Sequence, residues 1–544
     1  MPALPDWLTP LPDAEQMRAI DSWAIERGGV AGIELMERAG AGVARAVERL
    51  APDGPVTVVC GKGNNGGDGL VAARLLRDAG RSVSVVCVAP PAELSGDAQA
   101  NLERLPGERP LRLDGSAWAQ DAAPASAASA GKLLEGQSAI VDALLGTGFH
   151  GAPRGAVAEA IDAINAARGC VVSVDVPSGV DASSGVVGGT AVRASATVTF
   201  HAGKPGLWIN PGKQHAGELE TIDIGIPRGA PAEAAVGLIE ASVLGALPRR
   251  GASSTKFDSG QVLVVGGSRG LTGAPRLSAL ASLRAGAGYV TACVPASLQA
   301  VLATGGPPEV MSRGLPDYDG SLVPDALEGV LEASERGGAL ALGPGLGRAG
   351  AAGAFARALA LRARVPIVLD ADGLNAHAGR LEQLRERSAP TVLTPHAGEL
   401  GRLLELPSSE IERERLRHVR DAAARAGAVA VLKGDDTLVC DPHGLLGVSR
   451  GGSPALATAG TGDVLTGVIA ALLAQGLEPF AAACAGVWLH AEAGREAARR
   501  VGAVEGVLAS DVIDALPAAR ARGLREPGPI DVQHGAYEIE AHSA

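Results

Sequence analysis

VTVVCGKGNNGGDGLVAARLLRDAG, residues 56–80, decides the fold. Five β-rich residues run into a glycine-rich turn, Gly61 to Gly69, and then into an Ala/Leu/Arg stretch of helical length. The strand is apolar along its whole length instead of alternating, so it needs cover on both faces, which implies a parallel sheet between helix layers. The same grammar recurs in SVSVVCV (82–88), AIVDALL (139–145) and CVVSVDV (170–176). It resumes after position 255 in QVLVVGG (261–267), YVTACVP (289–295), GALALGPG (338–345), VPIVLDAD (365–372), TVLTP (391–395) and VAVLKG (429–434). Both halves therefore read as α/β, each a largely parallel sheet flanked by helices. Between them lies an Ala-, Gly- and Pro-rich stretch over 228–254, the best boundary. The expected organisation is a first domain over 1–227, a linker over 228–250, a second domain over 251–525 and a tail over 526–544, with a local loop over 111–136.

Size and charge narrow the function. A chain of 544 residues, at roughly 150 per domain, holds two or three domains. Lys and Arg total 48 against 60 Asp and Glu, 48 − 60 = −12, with no long basic block, so nucleic acid and anionic membrane are poor partners. The longest apolar helix candidate, Val464 to Ala474, falls far short of the ~20 residues that span a bilayer. The start carries acids and prolines where a secretory signal needs a basic flank and an apolar run, and a cytoplasmic location is expected. Six scattered cysteines never form C-x-x-C, which argues for free thiols over zinc or dithiol chemistry.

In the first half, glycines at 61–69 allow close approach of a ligand to the backbone, and the following helix offers unpaired N–H groups and a positive dipole end to an anion. Asn64, Asn65 and Asp68 add polar side chains beyond what a turn requires. Asp142 stands at a strand end before Gly146-Thr147-Gly148, and Asp175 and Ser178 lie just past the carboxyl end of another strand, where open parallel sheets form ligand crevices. Asn65, Asp142 and Ser178 are hard oxygen donors suited to a monovalent or alkaline-earth cation, although Asp142 alone also reads as a structural turn residue. Asp175 reads as an acid/base group or as an Asx turn before Pro177, and Lys204 as a positive charge near the site or as a solvated surface lysine.

Together GKGNNGGDGLVAARLL, DALLGTG, DVPSGVD and KPGLWINPGK resemble the NAD(P)H-hydrate epimerases over residues 10–226. The resemblance implies a Rossmann-like domain that interconverts R and S epimers of hydrated NADH or NADPH with bound potassium. By it, Asn64, Asn65, Gly66, Gly67 and Asp68, with Gly146, Thr147, Gly148, Phe149, His150, Gly151 and Ala152, hold the hydrated dinucleotide. Asp175 contacts the substrate near the reacting carbon, and Asn65, Asp142 and Ser178 serve potassium. Phe149-His150 stands where such proteins vary.

In the second half, SPALATAGTGDVLTGVIAALLAQG (453–476) places Gly460-Thr461-Gly462 at the start of a long helix, where backbone amides neutralise charge on a phosphoryl group in transit. Asp463 follows at once. A carboxylate repels bound phosphate, yet it serves as a base that deprotonates an attacking hydroxyl. As a plain first-turn acid it would leave the glycines unexplained. Lys433-Gly434 reads as a phosphate and ribose contact or as turn chemistry. His396 and Glu399 precede or open a helix and also read as a structural histidine and a capping acid. GPGLG (343–347) and GGSRGLTGAP (266–275) bring Gly345 and Ala274 to loop positions, and no metal cluster is evident.

The set GGS…GAP, GPGLG, LDADGLN, TPHAGE, LKG and AGTGD resembles the ribokinase-like superfamily, in its ADP- or ATP-dependent NAD(P)H-hydrate dehydratase branch, over about 250–520. The resemblance implies that Lys433, Gly434, Asp435, Asp436 and Thr437, with Ser453, Pro454, Ala455, Leu456, Ala457, Thr458, Ala459, Gly460, Thr461 and Gly462, hold the ADP. Ala274, Gly345, His396 and Asp463 face the hydrate, and magnesium comes with ADP or ATP through phosphate and water. Thr255-Lys256-Phe257 departs from the His-Lys-Gly that often stands there. The joint expectation is an enzyme that epimerises R- and S-NADHX or NADPHX and dehydrates the S epimer, assembled as a homo-oligomer. The alternative is a vitamin-precursor-type kinase with a non-catalytic amino-terminal module that binds a protein or dinucleotide.

Overall fold

The first strand, β1 (Leu8–Pro10), joins a sheet otherwise built far downstream in the sequence, so the chain's units are not simply consecutive. The computed structural model describes residues 4–94, 96–113, 116, 133–231 and 233–525. Among them one unit takes residues 10–234 and the other residues 4–9 and 235–525. The loop expected over 111–136 lies largely outside the described residues, and the 526–544 tail wholly so.

In the first unit β2 (Val56–Cys60), β3 (Val83–Cys87), β4 (Ala139–Ala143), β5 (Cys170–Val174), β6 (Ala196–Phe200) and β7 (Glu218–Ile222) form one parallel sheet, ordered β3-β2-β4-β5-β6-β7. Val56, Val58 and Cys60 pack on one side under helices Gly32–Leu50 and Asn64–Asp78, while Val59 and Ile140 pack on the other under helix Ala156–Ala166. That two-sided cover is why these strands are continuously apolar. After β3 the chain crosses back to place β4 on the opposite side of β2, and the crevice of such a sheet opens at that reversal, beyond the carboxyl ends of β2 and β4.

The second unit holds β8 (Val236–Ile239), β9 (Gln261–Val265), β10 (Tyr289–Pro295), β11 (Val310–Leu315), a hairpin of β12 (Asp317–Tyr318) and β13 (Ser321–Leu322), then β14 (Ala339–Leu342), β15 (Ile367–Leu369), β16 (Thr391–Leu393), β17 (Val429–Leu432), β18 (Leu438–Cys440) and β19 (Leu446–Val448). Its main sheet runs β1-β8-β19-β18-β17-β16-β15-β14-β9-β10-β11. Val262 and Val264 face a core with helices Gly273–Arg284, Thr461–Ala474, Pro479–Val501 and Ala509–Gly523, and Leu263 and Val265 are as deeply buried.

One expectation changes. Residues 228–250 are not a bare linker: Val236–Ile239 is a strand, parallel to β19, with Gly237 backed by Leu8. Four apolar residues inside an Ala/Gly/Pro-rich stretch give too short a signal to stand out in the sequence. The β17–β18 and β18–β19 pairs are antiparallel, because turns of a few residues join these three short strands. Of the six free cysteines five are buried and Cys170 is half-buried. Among the described residues no helix is long and apolar enough to cross a membrane.

Candidate active site

In the first unit a cavity of about 1060 Å³ opens at the β2/β4 reversal. Asn64, Asn65, Asp68, Gly146, Thr147, Gly148, Phe149, His150, Asp175 and Lys204 all line it. Gly151 and Ala152 line a smaller neighbouring hollow with Phe149 and His150. Gly66 and Gly67 stand elsewhere. A Cβ on Gly66 would sit 2.1 Å from the Gly61 carbonyl oxygen, and one on Gly67 would sit 2.6 Å from Met36 Sδ. Those two glycines are explained by the packing of the loop on itself and on the neighbouring helix, not by room for a ligand.

Asp175 has a left-handed backbone, φ 64°, which aims its carboxyl into the crevice. Its Oδ1 accepts from Lys204 Nζ at 2.6 Å and Thr199 Oγ1 at 3.2 Å. Its Oδ2 accepts from the Thr147 amide at 3.2 Å and from the Thr147 hydroxyl. Burial opposes its charge, but the Lys204 ammonium and these hydrogen bonds outweigh burial and hold the carboxyl below its ordinary range. Of the two sequence readings of Lys204 the structure favours the positive charge near the site over the solvated lysine, for the residue is 1% exposed. Its ammonium also donates to Thr199 Oγ1 and to the Phe200 carbonyl. Such burial is tolerable only because every proton finds an acceptor, and no feature of FHAGKPG announces it.

Asp142 is fully buried among neutral donors: Ser173 Oγ at 2.8 Å, the Ser178 amide at 2.9 Å, Ser178 Oγ at 2.5 Å and the Leu144 amide at 3.3 Å. Burial pushes its carboxyl up against those bonds. The Asn65 side-chain nitrogen is buried without a hydrogen-bond partner, and its oxygen lies 3.0 Å from where a Cβ on Gly146 would stand. The buried Asp142 carboxylate, the Ser178 hydroxyl and the Asn65 side-chain oxygen are hard oxygen donors, a set that fits a hard monovalent cation.

In the second unit β17, β16, β15, β14 and β9 lie side by side and parallel, and the expected residues follow their carboxyl ends, where such sheets form ligand crevices. Ala274 and Gly345 meet there: a Cβ on Gly345, whose φ is 63°, would be 3.2 Å from Ala274 Cβ. Asp370, just past β15, is 2% exposed and accepts from Thr394 Oγ1 at 2.9 Å, Lys433 Nζ at 2.9 Å and Thr466 Oγ1 at 2.8 Å. Lys433 Nζ stands 3.7 Å from Glu399 Oε2 and 3.6 Å from where a Cβ on Gly462 would be. The ammonium therefore stands beside the first turn of helix Thr461–Ala474. Gly460, φ 92°, makes the left-handed entry to that helix, and Ser278 Oγ donates to the Asp463 carbonyl at 2.9 Å, fixing its first turn. Burial first, then Asp370 and Glu399 against the opposing Lys433, raise the Asp463 carboxyl to about 7.

Other expected contacts take a plainer role. His396 caps helix Ala397–Leu404 through Nδ1, which accepts from the Gly398 amide at 3.0 Å, and Glu399 closes the capping box. Asp436 is 1% exposed and pairs with buried Arg415 at 2.9 Å, so its carboxylate braces the loop from behind. Ala455 is buried too. Thr437 Oγ1 donates to the Gly434 carbonyl, and Thr461 Oγ1 to the Leu456 and Thr458 carbonyls, while Gly434, Asp435, Ala457 and Ala459 are exposed. Although no metal cluster was evident from the sequence, Glu410, Glu414 and His418 converge within 4.8 Å. Arg413 and Arg417 already neutralise those carboxylates.

Residues 262–518 match the family described as NAD(P)H-hydrate dehydratase, and residues 32–206 the family described as YjeF-related protein N-terminus. A bifunctional NAD(P)H-hydrate repair enzyme of Moorella thermoacetica is 42% identical over 514 residues, covering 93% of this chain and 95% of that one. The chain belongs to the bifunctional NAD(P)H-hydrate repair enzymes. A Salinibacter ruber member of these repair enzymes is 40% identical, covering 95% of this chain and 97% of that one. Among solved structures, an ADP/ATP-dependent NAD(P)H-hydrate dehydratase from Bacillus subtilis, co-crystallized with ATP/Mg2+, is 30% identical, covers 52% of this chain and 96% of that one, and has a TM-score of 0.45. In this repair enzyme sequence reading missed two carboxylates, Asp370 and Asp21. Asp370 ends an apolar strand, the same signal that exposed Asp175. Asp21 sits in a helix, Ala14–Glu26, where nothing local separates a site acid from a surface one.

Proposed function

We propose that the chain repairs hydrated nicotinamide cofactors, epimerising R- and S-NAD(P)HX in the first unit and dehydrating the S epimer in the second at the expense of ADP or ATP. The observation that carries the reading is Asp463, raised to about 7, in the first turn of the helix that Lys433 stands beside. Asp463 takes the proton of the S-hydrate hydroxyl, and the freed oxygen attacks the terminal phosphorus of the nucleotide. The 460–462 amides and Lys433 neutralise the charge that develops, and magnesium arriving with the nucleotide would supply further positive charge there. Asp370 and Glu399 are already engaged by Lys433, which favours a metal that arrives with the nucleotide. Phosphate then leaves with the C–O electron pair, the neighbouring ring carbon gives up a proton, and the ring double bond is restored. Phosphorylation has turned hydroxide, a poor leaving group, into a good one.

In the first unit Lys204 and Thr147 hold Asp175 ionised at the cavity wall, where it orients the hydrated ring. Asn65, Asp142 and Ser178 would hold potassium, which supplies a fixed positive charge next to the dinucleotide. A mixture of both epimers with ADP or ATP tests the reading through the dihydronicotinamide absorbance. Recovery of reduced cofactor past the S share, toward completion, is expected. Recovery that halts at the S share removes the epimerase, and a stable phosphoester without recovery leaves a kinase.

A further inference from the structure

The hydrate's chemistry states what epimerisation needs. Water adds to the ring's enamine so that the hydroxyl settles on the carbon next to nitrogen, whose lone pair stabilises a positive charge there. Inverting that carbon by loss and return of water requires a proton for the departing hydroxyl and a base for the water that returns. Asp175 is badly placed for either role, since both of its oxygens are taken by Lys204, Thr199 and Thr147. Asp21, on helix Ala14–Glu26, lines the same cavity as Asp175, Asp68 and Lys204, and among the described residues no hydrogen bond or ion pair engages its carboxyl.

We propose that Asp21 is the proton-transfer residue of the epimerase, a role that rests on the epimerase reading above. The protonated Asp21 gives its proton to the hydroxyl oxygen, the C–O pair leaves with the oxygen as water, and the nitrogen lone pair closes a C=N⁺ bond. The planar cation turns about its bond to the ribose, a water beside the Asp21 carboxylate adds to the face now presented and returns its proton there, so acid, water and electrons balance over the cycle. The ionised Asp175 on the wall favours the transient cation. Burial raises Asp21 to about 6, with Lys204 opposing and Asp175 adding, so both of its forms are accessible near neutrality. Asp68 is pushed well above the carboxylate range by burial, Asp175 and Asp21, which leaves it a poor acceptor for the returning proton.

The test follows R/S exchange by the full chain without nucleotide in ¹⁸O-labelled water. Wild type is expected to incorporate label as it inverts. Asp21→Asn should lose about 10²-fold or more in kcat, the usual scale of general acid–base catalysis, with KM little changed and with nucleotide-driven dehydration of pure S epimer intact. Asp21→Glu keeps the acid and should exceed Asp21→Asn, which decides the matter if the amide variant folds poorly. An Asp21→Asn chain that exchanges like wild type, an Asp21→Glu no better than Asp21→Asn, or inversion without label each overturns the proposal. A wild type that exchanges nothing ends the epimerase reading instead.

Discussion

Asp175 and Asp463 are carboxylates in crevices of similar sheets, and their neighbours drive them in opposite directions. Asp175 has an ammonium at 2.6 Å and stays below its ordinary range; Asp463 has two further carboxylates in its field and rises to about 7. A base works only when ionised, so the sign of the pH effect follows directly. Dehydration kcat/KM on pure S epimer should climb about tenfold per pH unit below about 7 and level off above it. A profile flat down to pH 5 would show that Asp463 does not take the proton. Both acids are legible in the sequence because they abut glycine or proline turns after apolar runs. The burial that pairs Lys204 with Asp175 is not, since the lysine reaches its site only through the tertiary fold.

At the scale of elements, the glycine loop joins β2 to helix Asn64–Asp78 so tightly that its side-chain space belongs to the protein. A Cβ on Gly66 would press on the Gly61 carbonyl, a backbone atom that cannot swing aside, and Gly61 in turn backs on the Leu144 carbonyl. Gly66→Ala should therefore destabilise the chain by about 1–3 kcal/mol, the cost of overpacking, and shift Asn65 with its loop. Thermal melting would show the lower midpoint, and R/S exchange would fall while dehydration of pure S epimer stands. An unchanged melt and full exchange would mean that the loop has slack. Apolar runs that end in a glycine, acidic or proline turn were readable even where the strand has only three residues, as at β15 and β16, and so were the loops after them. The short β8, β18 and β19, the edge strand β1 and the more polar β6, β7 and β11 were not, because their runs lack that punctuation and their pairing depends on distant partners.

Across the whole molecule, the order of motifs matches a repair enzyme in which one unit equilibrates two epimers and the other consumes one. The acidic balance does not prevent a polyanionic substrate from binding, because loop amides, helix starts, Lys204 and Lys433 act locally. The boundary between the units was the least legible large feature: residues 4–9 and 235–250 contribute to the second unit's sheet or core although motif reading assigned them to the first domain or a linker. The central claim is that an acid beside the 460–462 amides activates the substrate alcohol for phosphoryl transfer. Asp463→Asn measures it most directly, assayed with mixed epimers, ADP or ATP, and separate detection of R/S exchange. Loss of cofactor recovery by about 10²-fold or more with exchange untouched is predicted; recovery at the wild-type rate would contradict the account.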